Sequence, residues 1–285
     1  MQQKGVHWFP GHMVKAMREI QERLNLIDVI VEIVDARAPK SSKNPFLEYI
    51  TSSKKRIIVL SKKDLADSNK LSKWVNYYEQ NGYLPVEADL NNASDINRIL
   101  KAIAIAGKDK IERNIRKGMK PQAIRAMVIG IPNVGKSTLI NRLSKRGSAS
   151  TANTPGHTRS QQWIKVDKTL ELLDTPGILP PHYEDKQVAI NLALIGSMKA
   201  ENISISDLSD LLIEFLLSNH KEDFINRYSL KEDDLKSNVS IFEAIAKRRG
   251  LLLTKGSFDI EKAELLLLKE FKEGLIAKSI VDELC

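Results

Sequence analysis

The chain has 285 residues, 42% hydrophobic and 28% charged, which supports a buried core and about two domains and excludes a disordered or disulfide-stapled chain. Its single cysteine, Cys285, rules out an internal disulfide or a cysteine-rich zinc site and points to an intracellular protein. No apolar run approaches the ~18 residues of a membrane span, and residues 1–13 have neither a signal-peptide core nor a transit-peptide bias.

Residues 13–24 place Met13, Met17, Ile20 and Leu24 on one side of an amphipathic helix. Residues 26–34 and 56–60 read as short buried strands, whose apolar runs without alternation suit a parallel sheet covered on both faces. A helix is expected at 70–80, a strand at 83–86 and a helix at 93–114. A strand at 124–130 leads through a glycine-rich turn into a helix from Lys136, and strands follow at 161–166 and 169–173. Beyond residue 184 the strand signal ends, and helices are expected at 184–198, 206–218, 221–229, 240–249, 259–273 and 275–283. An α/β region is thus followed by an all-helical one. Pro180 and Pro181, which resist helix and ladder alike, put the boundary between 1–181 and 182–285.

The net charge of +8 divides unevenly, with 30 basic and 17 acidic residues in 1–181 against 14 and 19 in 182–285. A basic first part suits a polyanion such as RNA, although a solvated surface around a nucleotide pocket fits the charge too. Residues 108–125 hold seven basic and two acidic residues. They read equally as a solvated linker or an RNA-contacting segment.

Gly130-Ile131-Pro132-Asn133-Val134-Gly135-Lys136-Ser137 matches G-x-x-x-x-G-K-[ST] between a predicted strand and a predicted helix. Such a loop turns consecutive backbone N–H groups of Asn133, Val134, Gly135 and Lys136 onward to Thr138 inward at phosphate, and the following helix adds its positive dipole end. Lys136 is expected to reach the β- and γ-phosphates and Ser137 to ligate magnesium. Asp174-Thr175-Pro176-Gly177 follows the strand at 169–173. Asp174 is the candidate to hold magnesium, and the Gly177 N–H to meet the γ-phosphate. Between them, Thr158 is the candidate switch threonine and third magnesium contact, with Thr154 as its alternative.

The candidate base reader lies upstream, in Ser61-Lys62-Lys63-Asp64 after the strand at 56–60. It resembles the N-K-x-D guanine motif with serine for asparagine. Asp64 can accept from guanine N1–H and the exocyclic amine, and adenine would leave that carboxylate unpaired. Lys62 would lie along the base. Glu87-Ala88-Asp89 is the looser second base loop, with the Ala88 N–H for guanine O6. The order is base reader, phosphate loop, switch, DTPG. A circular permutation explains it, because a sheet depends on which strands adjoin rather than on where the chain starts.

The permuted order, together with residues 7–13 (HWFPGHM), Asp35-Ala36-Arg37-Ala38-Pro39, Ser160-Gln161-Gln162-Trp163 and residues 245–250 (IAKRRG), resembles the ribosome biogenesis GTPase A family, the YlqF/RbgA proteins. The resemblance runs over nearly the whole chain; Ser61 and the EAD loop depart from the usual motifs. It implies a circularly permuted P-loop GTPase domain, with a mostly parallel six-stranded sheet and helices on both faces, followed by a small all-α domain. The implied role is GTP hydrolysis in late maturation of the large ribosomal subunit, with contact to its rRNA, in the cytoplasm. No membrane or DNA partner is expected, and the expected state is a monomer.

The position that carries the water-orienting glutamine in Ras-like enzymes is Ile178 here, which has no hydrogen-bonding group. The resemblance offers His12 instead, with His157 as a lesser candidate; an imidazole can take or give a proton near neutral pH. In related GTPases the Asn133 position helps bind potassium, which would neutralise charge in the transition state. Lys247, Arg248 and Arg249 are the candidate rRNA contacts, and they equally suit the negative end of a helix closed by Gly250. A P-loop kinase for a small molecule and a non-catalytic nucleotide-dependent scaffold are the competing functions.

Overall fold

The computed structural model describes residues 11–120, 122–144, 162–179, 185–198, 203–254 and 256–284. Its centre is a six-stranded sheet in the order β3-β2-β1-β4-β6-β5. These are β1 (Val29–Asp35), β2 (Lys55–Ser61), β3 (Leu84–Ala88), β4 (Ile124–Ile129), β5 (Gln162–Lys165) and β6 (Leu170–Asp174). All neighbours are parallel except β5, which pairs antiparallel with β6. Every residue of β1 is buried, as the two-sided apolar run requires.

Helices α1 (Gly11–Arg23), α2 (Pro45–Ile50) and α3 (Ser68–Gln80) cover one face. Met17, Ile20 and Leu47 pack on Ile30, Met127 and Leu173, and Leu71, Trp74 and Tyr78 on Val34, Ile58 and Leu60. Helices α4 (Ala93–Ala106) and α6 (Lys136–Ser144) cover the other, through Ile96, Ile99, Leu139 and Leu143. The hydrophobic packing of that face continues into α7 (Lys186–Leu194), α8 (Ile205–Asn219), α9 (Lys221–Tyr228), α10 (Asn238–Arg249) and α11 (Ile260–Lys272).

Two expectations need correction. The helix expected over 93–114 is two helices, α4 and α5 (Lys108–Arg116), broken at Gly107. A β-carbon there would come to 2.5 Å from the Ile124 side chain, which would have to move to admit a larger residue. The helix expected at 275–283 does not form. Gly274, at φ +68°, ends α11, and the last segment runs back across the loops that follow β1 and β2. There the Val281 N–H donates to Arg37 O at 2.8 Å and the Ser279 N–H to Leu65 O at 3.2 Å. Asp282 accepts from the Lys40 and Ser41 N–H groups at 2.6 and 2.8 Å, from the Ser41 hydroxyl, and from the Asn191 amide at 2.9 Å. Tertiary partners took the backbone groups that a helix would have used. The short helix α2, capped by the Asn44 side chain on the Phe46 and Leu47 N–H groups, was not anticipated. The boundary at Pro180 and Pro181 lies outside the described residues.

Candidate functional site

Strands β1, β2 and β3 run outward from the middle of the sheet in one direction, and β4, β6 and β5 in the other. The order reverses between β1 and β4. In an open parallel sheet the ligand crevice lies there, outside the carboxyl ends of the strands. The phosphate-binding sequence leaves β4 at that point and opens α6.

Its glycines are needed where they stand. Gly130 has φ +149°, and a β-carbon on it would sit 2.5 Å from Ile33 O; Gly135 has φ +107°, with Leu90 Cδ1 at 2.7 Å. Asn133 turns left-handed at φ 63°, a conformation asparagine tolerates better than most residues. Lys136 is buried, and its ammonium donates to Ile131 O at 2.7 Å. Burial pushes its pKa down to about 8, against the opposing pull of Asp174. Ser137 and Thr138 are exposed in the first turn of α6.

Gly177 lies directly over this loop. A β-carbon on it would be 2.9 Å from Lys136 Nζ and 2.9 Å from Pro132 N. Asp174 ends β6 opposite Val128 of β4 and is buried. Ile178 is also buried, with Met17, Ile20, Ile30 and Leu47, and its carbonyl accepts from the Asn44 amide at 2.8 Å. The side chain in the glutamine position therefore belongs to the core.

The upstream sequence that begins at Ser61 reaches the same loop. The Ser61 hydroxyl lies 2.6 Å from Val134 O and 2.9 Å from Val34 O. Lys62 is left-handed at φ 58°, and its ammonium donates to Asn133 O at 2.9 Å and to Asp35 Oδ2 at 2.8 Å. Asp64 is exposed in the short 3-10 turn that follows. Ala88 ends β3 in register with Ser61. The next N–H, that of Asp89, donates to Asp95 Oδ2 at 2.9 Å, and the same carboxylate oxygen meets Lys63 Nζ at 2.8 Å. Ser61 and Lys62 thus meet the phosphate loop at Val134 and Asn133, and Ala88 lies one strand further out, beside Ser61.

Sequence reasoning missed the role of Asp35 and Arg37, which it used only as a family marker. Asp35 is fully buried and receives Arg37 Nε at 2.9 Å and Nη2 at 2.8 Å. Burial would raise its pKa, but Arg37 and Lys62 hold it below the usual carboxylate value. The signal was present as two opposite charges at the end of a buried, mostly apolar strand, where an ion must be paired.

The Lys247, Arg248 and Arg249 cluster ends α10 at Gly250. Arg248 pairs with Asp234 at 2.7 Å; Arg249 meets Glu270 at 3.4 Å and lies over the Tyr228 ring. Two of the three charges are therefore engaged inside the helical region. His12 falls in the first turn of α1, with its side chain outside the described residues. Thr154, His157 and Thr158 lie outside them altogether.

Magnesium characteristically takes one or two protein oxygens, phosphate oxygens and water rather than an all-protein cage. The donors here fit that habit: Asp174 at a strand end and Ser137 at a helix start, with no cluster of three or more His, Cys, Asp or Glu side chains suited to a metal among the described residues. A phosphate loop at the reversal point, a DxxG turn folded over it and a base-side loop bonded to its carbonyls together define a P-loop GTPase domain with permuted strand order.

The family described as "50S ribosome-binding GTPase" matches residues 125–247. Ribosome biogenesis GTPase A of Bacillus cereus is 42% identical over 96% of this chain and 92% of its own length, and that of Thermotoga maritima 30% identical over 94% and 90%. The chain belongs to the ribosome biogenesis GTPase A family. Two solved structures are similar at 27% identity. GDP-bound TM YlqF has a TM-score of 0.67 over 93% of this chain and 99% of its own; GNP-bound YlqF from T. maritima has 0.64 over 95% and 100%.

Proposed function

We propose that this protein is a GTP-hydrolysing assembly factor that binds rRNA and promotes late maturation of the large ribosomal subunit. The observation that carries the reading is the contact of Ser61 and Lys62 with the carbonyls of Val134 and Asn133. It brings the guanine-reading sequence to the phosphate loop across 73 and 71 residues of chain. Family membership supplies the ribosomal context.

In this reading Asp64 accepts from guanine N1–H and N2, Lys62 lies along the base and the Ala88 N–H meets O6. The N–H groups from Asn133 to Thr138 surround the phosphates, and Lys136 leaves Ile131 O for the β- and γ-oxygens. The Gly177 N–H meets the γ-phosphate. Ser137, Asp174 and Thr158 would hold magnesium, which neutralises charge on the phosphates when bound. Asn133 would hold potassium. Buried Ile178 cannot orient the attacking water, so His12 takes that task, and turnover is slow until the ribosomal particle completes the site. Lys247, Arg248 and Arg249 contact rRNA phosphates, with Arg248 and Arg249 leaving their internal pairs. The helical RNA-binding domain begins near residue 182. No helix among the described residues is long and apolar enough to cross a membrane, and we place the protein in the cytoplasm, where ribosomes assemble.

The test is cosedimentation with ribosomal subunits under a non-hydrolysable GTP analogue or GDP, read beside GTP turnover in potassium or sodium buffer. The expected result is binding to the large subunit with the analogue, release with GDP, and turnover raised at least about tenfold by the particle and further by potassium. Binding indifferent to nucleotide together with unchanged turnover would overturn it.

A further inference from the structure

The base-side loops are bonded to the helical region as well as to the phosphate loop. Arg37 is buried, and beyond its two side-chain bonds to Asp35 it donates from Nη1 to Lys272 O at 2.8 Å and from Nη2 to Ile195 O at 3.0 Å. Lys272 is the last residue of α11 and Ile195 the C-cap of α7. One guanidinium therefore closes two helix ends, where carbonyls lack partners and the dipole is negative. The next residue, Gly196, accepts from the Asn133 side chain at 3.4 Å. The bonds form a ring: Lys62 to Asp35, Asp35 to Arg37, Arg37 to the turn at 195–196, that turn to Asn133, and the Asn133 carbonyl back to Lys62.

We propose that this ring makes guanine-nucleotide occupancy and docking of the helical region mutually dependent, with Arg37 as the positioning residue between them. The inference rests on the reading that Lys62 lies along the base. A nucleotide that fixes Lys62 fixes the Asp35 carboxylate that Lys62 shares with Arg37, and so fixes the fork that holds α7 and α11. The dependence runs equally in reverse, because coupling between two equilibria is reciprocal. A partner that pulls the helical region away would loosen the nucleotide from its base side. This route is separate from the γ-phosphate and operates with GDP.

Asp282 is a second clamp on the same docking. It holds Lys40, Ser41 and Asn191 and touches neither Lys62 nor the phosphate loop. Arg37→Lys keeps a cation beside Asp35 and removes the fork; Asp282→Asn loosens docking from the far side.

The experiment follows release of a fluorescent GDP analogue, GTP hydrolysis, and hydrogen exchange of residues 275–284 with and without GDP, in the full chain, both single variants and the double variant. R37K should release the analogue at least about fivefold faster and raise KM for GTP while kcat stays within about twofold. D282N should also speed release, and the double variant should fall well short of the product of the two single effects, because loosened docking reaches the base side mainly through Arg37. GDP should protect residues 275–284 in the wild type and not in R37K. Unchanged release in both single variants, effects that multiply in the double variant, or exchange indifferent to GDP would overturn the coupling. If R37K does not fold, release and protection in D282N decide it alone. Asp64→Asn separates the two readings: loss of guanine selectivity there with no effect of R37K or D282N rejects the coupling only, whereas unchanged selectivity rejects the base reader itself.

Discussion

The Ser61 hydroxyl sits 2.6 Å from Val134 O, joining the end of β2 to the phosphate loop. The same hydroxyl lies 2.9 Å from Val34 O, and its one proton serves these two carbonyls. Serine thus ties the end of β2 to a loop 73 residues further along the chain. Ser61→Ala leaves the Val134 carbonyl without that donor and should weaken GDP binding by about 1 kcal/mol, roughly fivefold. Titration with a fluorescent nucleotide measures it; an affinity equal to wild type would make this contact incidental.

Asp64→Asn exchanges an acceptor pair for one donor and one acceptor. Guanine then loses a charge-assisted contact worth about 1.5–3 kcal/mol, a roughly 10- to 150-fold fall in affinity. Xanthine nucleotides, which carry an oxygen where guanine has its amine, should gain in relative affinity. Competition between GDP and XDP reads the exchange directly.

Lys136 titrates at about 8 because it is buried, and bound phosphate restores its charge. Nucleotide binding should therefore take up protons: nearly none at about pH 6.5 and about three-quarters of one at about pH 8.5. Affinity should be flat below about pH 7 and decline as pH rises past about 8. Calorimetry in buffers of different ionisation enthalpy counts the protons, and uptake that does not grow across this range would contradict the assignment.

Gly177 has no room for a side chain, since even a methyl group would meet Lys136 Nζ and the Pro132 backbone at 2.9 Å. Gly177→Ala should displace the γ-phosphate contact and lower hydrolysis by about 100-fold, with far-UV circular dichroism nearly unchanged. Hydrolysis at the wild-type rate would remove Gly177 from the site.

By itself the sequence determined the enzyme class and the strand content. Local rules sufficed for both: a glycine-rich turn between an apolar strand and a helix, a DxxG after another strand, and apolar runs too continuous for a one-sided sheet. The missing asparagine of the base reader looked like a defect on paper because the reach of a serine hydroxyl to Val134 depends on how closely β2 and the phosphate loop approach. Only the tertiary structure decided that approach. It also decided the burial of Ile178, the pairing of Arg248 and Arg249, and the path of residues 275–284. That last segment has the composition of a helix, but its N–H groups and Asp282 found partners on loops more than 200 residues away, as in the 242 separating Asp282 from Lys40. Asp35 and Arg37 show the same limit. Their charges beside a buried strand announced a pair, whereas the two helix ends that complete the arginine's bonds are brought to it by packing, which no local pattern in the chain encodes.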